Sequence, residues 1–296
     1  MIRVVSFMLK RFAVTVCPAL PALRAAVARG YWREVRPQAR VIGWPAAARL
    51  WYANRCQTGV VTDRLAKIRP AGFRCPLYFR PGGSDPAVID QVFVKQEYSA
   101  VANLPDVSFI VDCGANIGCT TFYLLHKYPR ARAVVVEPDP GNMAVCRRNL
   151  APFRHRVAFI QAGVWSAPGP LVIERGAFRD GAEWSFQVRP APPGERADIT
   201  AVTVADVMAT AGFPRIDLLK VDIEGAEVEV FDRNSDRWLR ATRNIAIETH
   251  GPECERAVNT ALSAYRFDPG QSGELALFLN ITRTEIAAPT PLSVES

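Results

Sequence analysis

The sequence has little of what metal-binding, disulfide-rich and membrane-spanning proteins require. It contains seven cysteines but no C-x-x-C pair, so neither a zinc-finger spacing nor a disulfide framework is visible, and reduced thiols in the cytoplasm are expected. The apolar run within residues 10–30 is interrupted by Pro18 and Pro21 and stays below the roughly 18 residues that indicate a membrane span. An N-terminal helix is therefore expected there rather than an export signal.

Acidic residues are scarce in the first third of the chain. Residues 1–100 hold 16 Lys and Arg against 5 Asp and Glu, whereas the whole chain has a net charge of +7. Two interpretations stay open: an arginine-rich face in water, or a basic arm that contacts an anionic membrane surface. The basic residues are not interleaved with aromatic ones as in RNA-binding modules, so a nucleic-acid partner is not expected.

The length of 296 residues predicts one large domain with an extension. Residues 1–75 contain five prolines and predict short helices that form a basic helical extension. Residues 76–285 form the expected main domain, and residues 286–296 a flexible tail. Ser84 or Asp85 is suited to cap a helix with Pro86 in its first turn.

From residue 107 onward, short apolar runs alternate with helical stretches. This alternation predicts an α/β domain with a mostly parallel sheet and helices on both of its faces. The run at 274–282 suggests a further, antiparallel strand at the edge, and residues 166–200 suggest an insertion or an irregular pair of strands. The expected strands of the main sheet are 107–112, 132–137, 157–162, 216–221 and 244–249, and the expected helices are 118–128, 140–150 and 225–233.

The first of these strands ends in a turn of small residues, Asp112–Gly118. A pyrophosphate-binding turn has the pattern G-x-G-x-x-G, but this turn has Asn116 in place of the second glycine and begins with an acid. Glu137, at the end of the next strand, can accept hydrogen bonds from both hydroxyls of an adenosine ribose. The acid and the asparagine favour a ligand with an amino-acid tail, S-adenosylmethionine, over NAD.

Acidic residues cluster where the fourth strand ends, in the stretch 217–231. Asp222 and Glu224 follow that strand directly and are expected to face the cofactor cleft. Glu227 and Glu229 are expected to be solvated acids at the start of a helix, where they complement its dipole.

The fifth strand ends in Glu248 and His250. A histidine at a strand end is suited to act as a general base near neutral pH, with Asp222 as the second choice. A metal site formed by Asp222, Glu248 and His250 is chemically conceivable, but the spacing does not require one and no metal is assigned.

Four motifs together resemble the FkbM-family methyltransferases: "FIVDCGANIG", "VVVEPDP", "IDLLKVDIEGAEVEVF" and "IAIETH". The segment "YFRPGGSDPAVIDQVFVKQEY" resembles the lead-in of that family, and the whole resemblance covers residues 78–282. It implies a class I S-adenosylmethionine fold with a Rossmann-like sheet, and O-methylation of a hydroxyl on a sugar or a polyketide-type natural product.

The resemblance also implies roles for individual residues. The methionine end of the cofactor would contact the turn, the ribose would contact Glu137, and the adenine would lie near Trp165. Glu97 and Tyr98 of the lead-in would close over the cofactor. Two acids would lie by the transferring methyl. In full, the implied residues are Glu97, Tyr98, Asp112, Gly114, Asn116, Gly118, Glu137, Trp165, Asp222 and Glu224.

Three other functions stay open at this point. An NAD-dependent oxidoreductase or epimerase is disfavoured by Asn116 and by the absence of a Tyr-x-x-x-Lys pair. An RNA-binding or RNA-modifying protein would use the basic arm, and a catalytically silent adaptor would keep only the fold. The sequence does not identify the methyl acceptor or the oligomeric state.

Overall fold

The structure is a computed structural model that describes residues 21–56, 65–174, 187–232 and 234–284. The apolar run before residue 21 and the expected tail at 286–296 lie outside the described residues. The chain divides into two compact units, residues 1–94 and 95–296. The boundary predicted at residue 75 stays a prediction.

The N-terminal unit begins with two helices, α1 (Pro21–Ile42) and α2 (Trp44–Cys56). Gly43, with a φ of 83°, separates them in a left-handed conformation that favours glycine. The expectation of short helices is wrong for α1, which has 22 residues and continues through Pro37. No helix in the described part of the chain is long and apolar enough to span a bilayer.

A two-stranded antiparallel pair, β1 (Ala66–Ile68) and β2 (Leu77–Phe79), follows these helices. The next helix, α3 (Asp85–Ile89), continues as a π-helical turn over Asp90–Val94. The Ser84 side chain makes no capping hydrogen bond, and the Asp85 carboxylate accepts hydrogen bonds from the backbone and guanidinium of Arg80 instead. The expected cap is therefore replaced by a buried ion pair.

The C-terminal unit is built on a seven-stranded sheet in the order β12-β13-β11-β10-β3-β4-β5. Neighbours from β11 to β5 are parallel, and β13 is antiparallel to both β11 and β12. The strands are β3 (Phe109–Cys113), β4 (Arg132–Val136), β5 (Val157–Ile160), β10 (Leu218–Val221), β11 (Ile245–Ile247), β12 (Tyr265–Ser272) and β13 (Leu275–Arg283).

This architecture confirms the predicted α/β fold and each predicted strand of the parallel sheet. The residues of β3, β10 and β11 are buried and, apart from Asp112 and Lys220, apolar, because helices cover both faces of a parallel sheet. One detail differs from the prediction: the antiparallel strand β13 is not at the edge, because β12 forms a hairpin with it and takes the edge position.

The connecting helices follow the predicted pattern. Crossovers between parallel strands are right-handed, so connections that run in opposite directions from the centre of the sheet place their helices on opposite faces. The helices are α4 (Cys119–Lys127), α5 (Pro140–Asn149), α6 (Val204–Ala211), α7 (Glu227–Val230), α8 (Asp236–Leu239) and α9 (Pro252–Leu262).

The predicted insertion forms a second, four-stranded sheet in the order β6-β9-β7-β8. Its strands are β6 (Gly163–Val164), β7 (Pro170–Glu174), β8 (Gln187–Pro190) and β9 (Ile199–Val202). Strand β8 reaches the end of β10, because the Gln187 side-chain amide donates a 2.6 Å hydrogen bond to the Glu224 carbonyl.

The strand order reverses between β3 and β10. From β3 the chain proceeds outward to β4 and β5, whereas β10 begins the progression to β11 on the other side. In open α/β sheets, a crevice forms outside the carboxyl ends of the strands at such a reversal, and ligands bind in it. The topology therefore locates the site at the ends of β3 and β10.

Candidate active site

The turn after β3 requires glycine at Gly114. Its φ is 81°, and an added Cβ would lie 1.8 Å from the Asp222 carbonyl oxygen, so a side chain cannot fit between β3 and the end of β10. Asn116 also has a positive φ, 50°, and its side-chain oxygen accepts a hydrogen bond from the Ile117 N–H. Two residues of this turn therefore have left-handed conformations, which bend the chain sharply between β3 and α4.

Glu137 lies at the end of β4 and braces this turn. Its carboxylate accepts hydrogen bonds from the backbone N–H of Asn116 at 2.8 Å and of Asp139 at 3.0 Å. Burial raises the pKa of Glu137 to about 7, although these two donors and the Asn142 amide oppose the shift. Glu137 is therefore about half ionised at neutral pH.

A cleft runs along the ends of β3, β4 and β10. It contains about 520 Å³ of space that no atom fills, part of which is open to solvent. One end carries the carboxylate of Glu137, the other carries Asp222 and Glu224, and apolar side chains lie between them. The lining residues are Gly114, Asn116, Val136, Glu137, Pro138, Asn142, Ala162, Gly163, Val164, Val188, Asp222, Ile223 and Glu224.

Lys220 is a site residue to which the sequence analysis assigned no role. It stands opposite Asp112 in the register of β10 and β3, and its ammonium lies 3.2 Å from the Asp112 carboxylate and 3.4 Å from that of Asp222. Burial opposes its charge, but the two carboxylates hold the pKa of Lys220 well above its usual value. A lone lysine within the apolar strand "DLLKV" was the available signal.

Asp112, expected to contact the cofactor, is fully buried beneath the cleft. Its carboxylate accepts a 2.6 Å hydrogen bond from the Thr121 hydroxyl and pairs with Lys220. Its direct role in the structure is to fix the lysine, and Lys220 in turn donates to the carbonyl oxygen of Gly114. Through Lys220, Asp112 thereby stabilises the backbone of the turn at Gly114.

The lead-in residues Glu97 and Tyr98 lie in a 3-10 helix, Glu97–Val101, and both are buried. Burial raises the pKa of Tyr98, and its hydroxyl is close enough to Lys220 and Asp222 to interact with their charges. Glu97 packs against Gly273 of the β12–β13 hairpin, where an added Cβ would lie 2.7 Å from the Glu97 side chain. The structure thus brings Tyr98 into the charged group around Lys220.

His250 lies among four carboxylates. Its Nδ1 is 2.9 Å from Glu227, and its Nε2 is 3.4 Å from Glu224, 3.5 Å from Glu248 and 3.8 Å from Asp222. The expectation that Glu227 is solvated is wrong: this residue is fully buried because it binds the imidazole.

This environment argues against His250 as a free base at neutral pH. Burial by itself lowers its pKa, but hydrogen bonds to Glu227 and Glu248 outweigh burial and raise the pKa to about 10. An imidazole that already carries a proton at pH 7 cannot accept another. The expected second choice, Asp222, lies on the cleft itself, where burial raises its pKa.

One ligand atom each from Asp222, Glu224 and His250 lies within 4.8 Å of the others, so these three side chains could hold a metal ion. The set differs from the conceivable one in the sequence analysis, because Glu224 takes the place of Glu248. Glu224 has a positive φ of 54°, a costly conformation for a residue with a side chain.

Gly118 and Trp165, like Glu97, Tyr98 and Asp112, are not among the residues that line the cleft. Gly118 begins α4 with a φ of 80°, and an added Cβ would lie 2.9 Å from the Cys146 sulfur, so this glycine is required by helix packing. Trp165 lines a different cleft, together with Ser166, Thr203 and Trp238. Its contact with adenine stays a prediction.

The chain is similar in sequence to known methyltransferases. The family described as "Methyltransferase FkbM domain" matches residues 112–279. A relative named methyltransferase sdnD, from Sordaria araneosa, is 31% identical over 194 residues, which cover 56% of this chain and 74% of the relative. A relative named 2-O-methyltransferase NoeI, from Sinorhizobium fredii, is 25% identical over 168 residues, 52% of this chain and 68% of the relative.

Solved structures of methyltransferases also match. A precorrin-6y C5,15-methyltransferase from Geobacter metallireducens is 14% identical, with a TM-score of 0.38, and the match covers 64% of this chain and 87% of that one.

Proposed function

The chain belongs to the FkbM methyltransferase family, and from this we propose that it is an S-adenosylmethionine-dependent O-methyltransferase. The proposed acceptor is a hydroxyl of a sugar, a glycan or a related natural product. Because the chain belongs to a methyltransferase family, the oxidoreductase alternative is not pursued.

The main support for the proposal is the distribution of charged and apolar residues along the cleft. Glu137 at one end offers carboxylate oxygens of the kind that bind paired ribose hydroxyls, and Val136, Ala162 and Val188 supply apolar surface for an adenine ring. Asp222 and Glu224 at the other end offer acceptors to hydroxyl-bearing substrates. The chemistry of these residues fits S-adenosylmethionine, with the acceptor near the acidic end.

The cofactor, when bound, supplies an electrophilic methyl group, and the chain has two further tasks. It must hold the acceptor oxygen in line with that methyl, and it must take up the hydroxyl proton. Lys220 pairs with Asp222 and holds its carboxylate at the cleft, where this carboxylate can orient the acceptor hydroxyl and receive its proton. Glu224 and Glu248 keep the surroundings acidic, which favours polyhydroxylated acceptors.

A relative's name supports oxygen as the target. NoeI is named a 2-O-methyltransferase, and hydroxyl-rich acceptors suit a site lined by carboxylates because each hydroxyl donates a hydrogen bond. The basic N-terminal unit does not enter this proposal.

Calorimetric titration of the purified chain with S-adenosylhomocysteine, beside NAD, tests the cofactor. We expect micromolar binding of the first ligand and none of the second; binding of NAD alone would refute the proposal. The target atom is tested with ¹³C-methyl-labelled cofactor and a panel of sugars and hydroxy acids. An O-methyl carbon resonance supports the proposal, whereas label found only on nitrogen or carbon contradicts it.

A further inference from the structure

The acidic end of the cleft has the geometry of a metal site. His250 Nε2 is separated from Glu224 Oε2 by 3.4 Å and from Asp222 Oδ1 by 3.8 Å. These separations exceed the usual hydrogen-bond length of about 2.7–3.2 Å. Two ligands of one cation, each about 2.1 Å from it, lie roughly 3.0–3.4 Å apart. The separation from Glu224 falls within this range, and a shift of less than about 1 Å would bring Asp222 into it.

The other ring nitrogen supplies an independent observation. Nδ1 of His250 is 2.9 Å from the fully buried Glu227 carboxylate, which also accepts a hydrogen bond from the Ile223 N–H. Metal-binding histidines almost always donate their second N–H to a carboxylate or carbonyl, and this bond fixes the ring with the other nitrogen toward the ion. Here the other nitrogen, Nε2, faces Glu224, Glu248 and Asp222.

The charge around this point is strongly negative. Four carboxylates face His250, from the ends of β10 and β11 and from α7, whereas the nearby cations are Lys220, which pairs with Asp222, and the protonated imidazole itself, whose Nε2 proton a bound ion would replace. Buried carboxylates gathered this closely are stabilised by a cation among them. A divalent ion would supply that charge at the edge of the cleft, where two of the ligands are accessible.

We propose that Asp222, Glu224 and His250 bind a divalent cation, with Glu248 close enough to join them. A mixed set of carboxylates and one imidazole suits a first-row cation such as Mn²⁺ or Zn²⁺ better than Mg²⁺ or Ca²⁺, which prefer oxygen ligands alone. Three protein ligands leave coordination positions for other groups.

The consequence for catalysis rests on the proposed function. Asp222 and Glu224 line the cleft, so an ion held by them would be within reach of the oxygen that is to be methylated and of a second oxygen on the neighbouring carbon. The ion would lower the pKa of the bound hydroxyl and fix its orientation. The site thereby specifies acceptors that carry two adjacent oxygens, as sugars do.

Electron paramagnetic resonance of Mn²⁺ tests the site on the full chain after treatment with a chelator. We expect wild type to take up one Mn²⁺, which Zn²⁺ displaces, and Glu224→Gln to bind at least about tenfold more weakly. Glu229→Gln is the matched control: this acid lies in the same acidic stretch but is hydrogen-bonded to Ser166 instead, and its loss should leave binding unchanged. Circular dichroism verifies that each variant is folded.

Each outcome separates the metal site from the proposed function. Folded wild type that binds neither Mn²⁺ nor Zn²⁺, or equal losses in the two variants, would overturn the metal site. S-adenosylhomocysteine is titrated into the same samples: if it binds where Mn²⁺ does not, only the metal site fails. If Mn²⁺ binds at these residues and S-adenosylhomocysteine does not, the metal site stands and the proposed function fails.

Discussion

The pKa of Glu137 makes cofactor affinity depend on pH. With a pKa of about 7, this carboxyl group is about one-tenth ionised near pH 6 and about nine-tenths ionised near pH 8. A ribose hydroxyl donates a stronger hydrogen bond to a carboxylate than to a carboxylic acid. Affinity for S-adenosylhomocysteine should therefore rise with pH over this interval.

The size of the effect follows from the ionised fraction. If the ligand binds only the ionised form, the apparent affinity scales with that fraction and is about tenfold weaker near pH 6 than near pH 8, or about 1.4 kcal/mol. The charged groups of the amino-acid tail do not titrate in this range. The tenfold change in affinity therefore comes from titration of the protein and not of the ligand.

Calorimetry on wild type and on Glu137→Gln isolates the contribution of this residue. The glutamine variant should bind more weakly and with no pH dependence, because its amide does not titrate. Glu253→Gln, which removes an exposed carboxylate on α9, should keep the wild-type profile. A flat profile in wild type, or an equal slope in Glu137→Gln, would refute the assignment of Glu137 to the ribose.

The same shift has a consequence for stability. The folded-state pKa of Glu137 is raised from 4.5 to about 7, so the folded state binds the proton more tightly than the unfolded state. The stabilisation is fully present below about pH 4.5 and is lost as pH rises through about 7, a difference of about 3 kcal/mol. Urea unfolding of wild type minus that of Glu137→Gln should show this decline.

Two substitutions, each measured by urea unfolding, test the packing and the buried ion pair around the site. Gly114→Ala should lower the free energy of unfolding by about 2 kcal/mol or more, because φ is positive there and the added Cβ would strike the Asp222 carbonyl. Gly169→Ala should leave it nearly unchanged, because a Cβ there meets nothing within 4 Å. Equal free energies of unfolding for the two variants would contradict the packing argument. Lys220→Met should cost about 3–5 kcal/mol, because it leaves the buried Asp112 carboxylate without its cation. Lys127→Met, which replaces an exposed lysine, should change the free energy of unfolding by less than about 0.5 kcal/mol. A comparably small decrease for Lys220→Met would show that the ion pair does not stabilise the fold.

The strands and the first turn were predictable from the sequence because their signals are local. An apolar run such as 107–112 indicates a buried strand wherever its neighbours lie, and the small residues after it indicate a turn with close contacts. Glu137 and Asp222 were predictable for the same reason, since each directly follows a strand. The family motifs repeat these local signals.

The strand neighbours were decided by tertiary structure alone. The antiparallel run at 274–282 was recognised, but its position inside the edge depends on the hairpin with β12, whose polar sequence gives no apolar signal. Likewise, the pairing of Lys220 with Asp112 depends on β10 lying beside β3 in a particular register.

The acidic cluster shows the same division most clearly. The sequence by itself determined that acids follow β10 and that a histidine follows β11, and these residue types suggested proton transfer at that end of the sheet. Only the tertiary structure decided that Glu227 is buried against His250 rather than solvated, and that four carboxylates surround one imidazole. The physical reason is that a pKa depends on burial and on charges across space, and residues 23 or more positions apart in the chain meet only when the sheet is assembled.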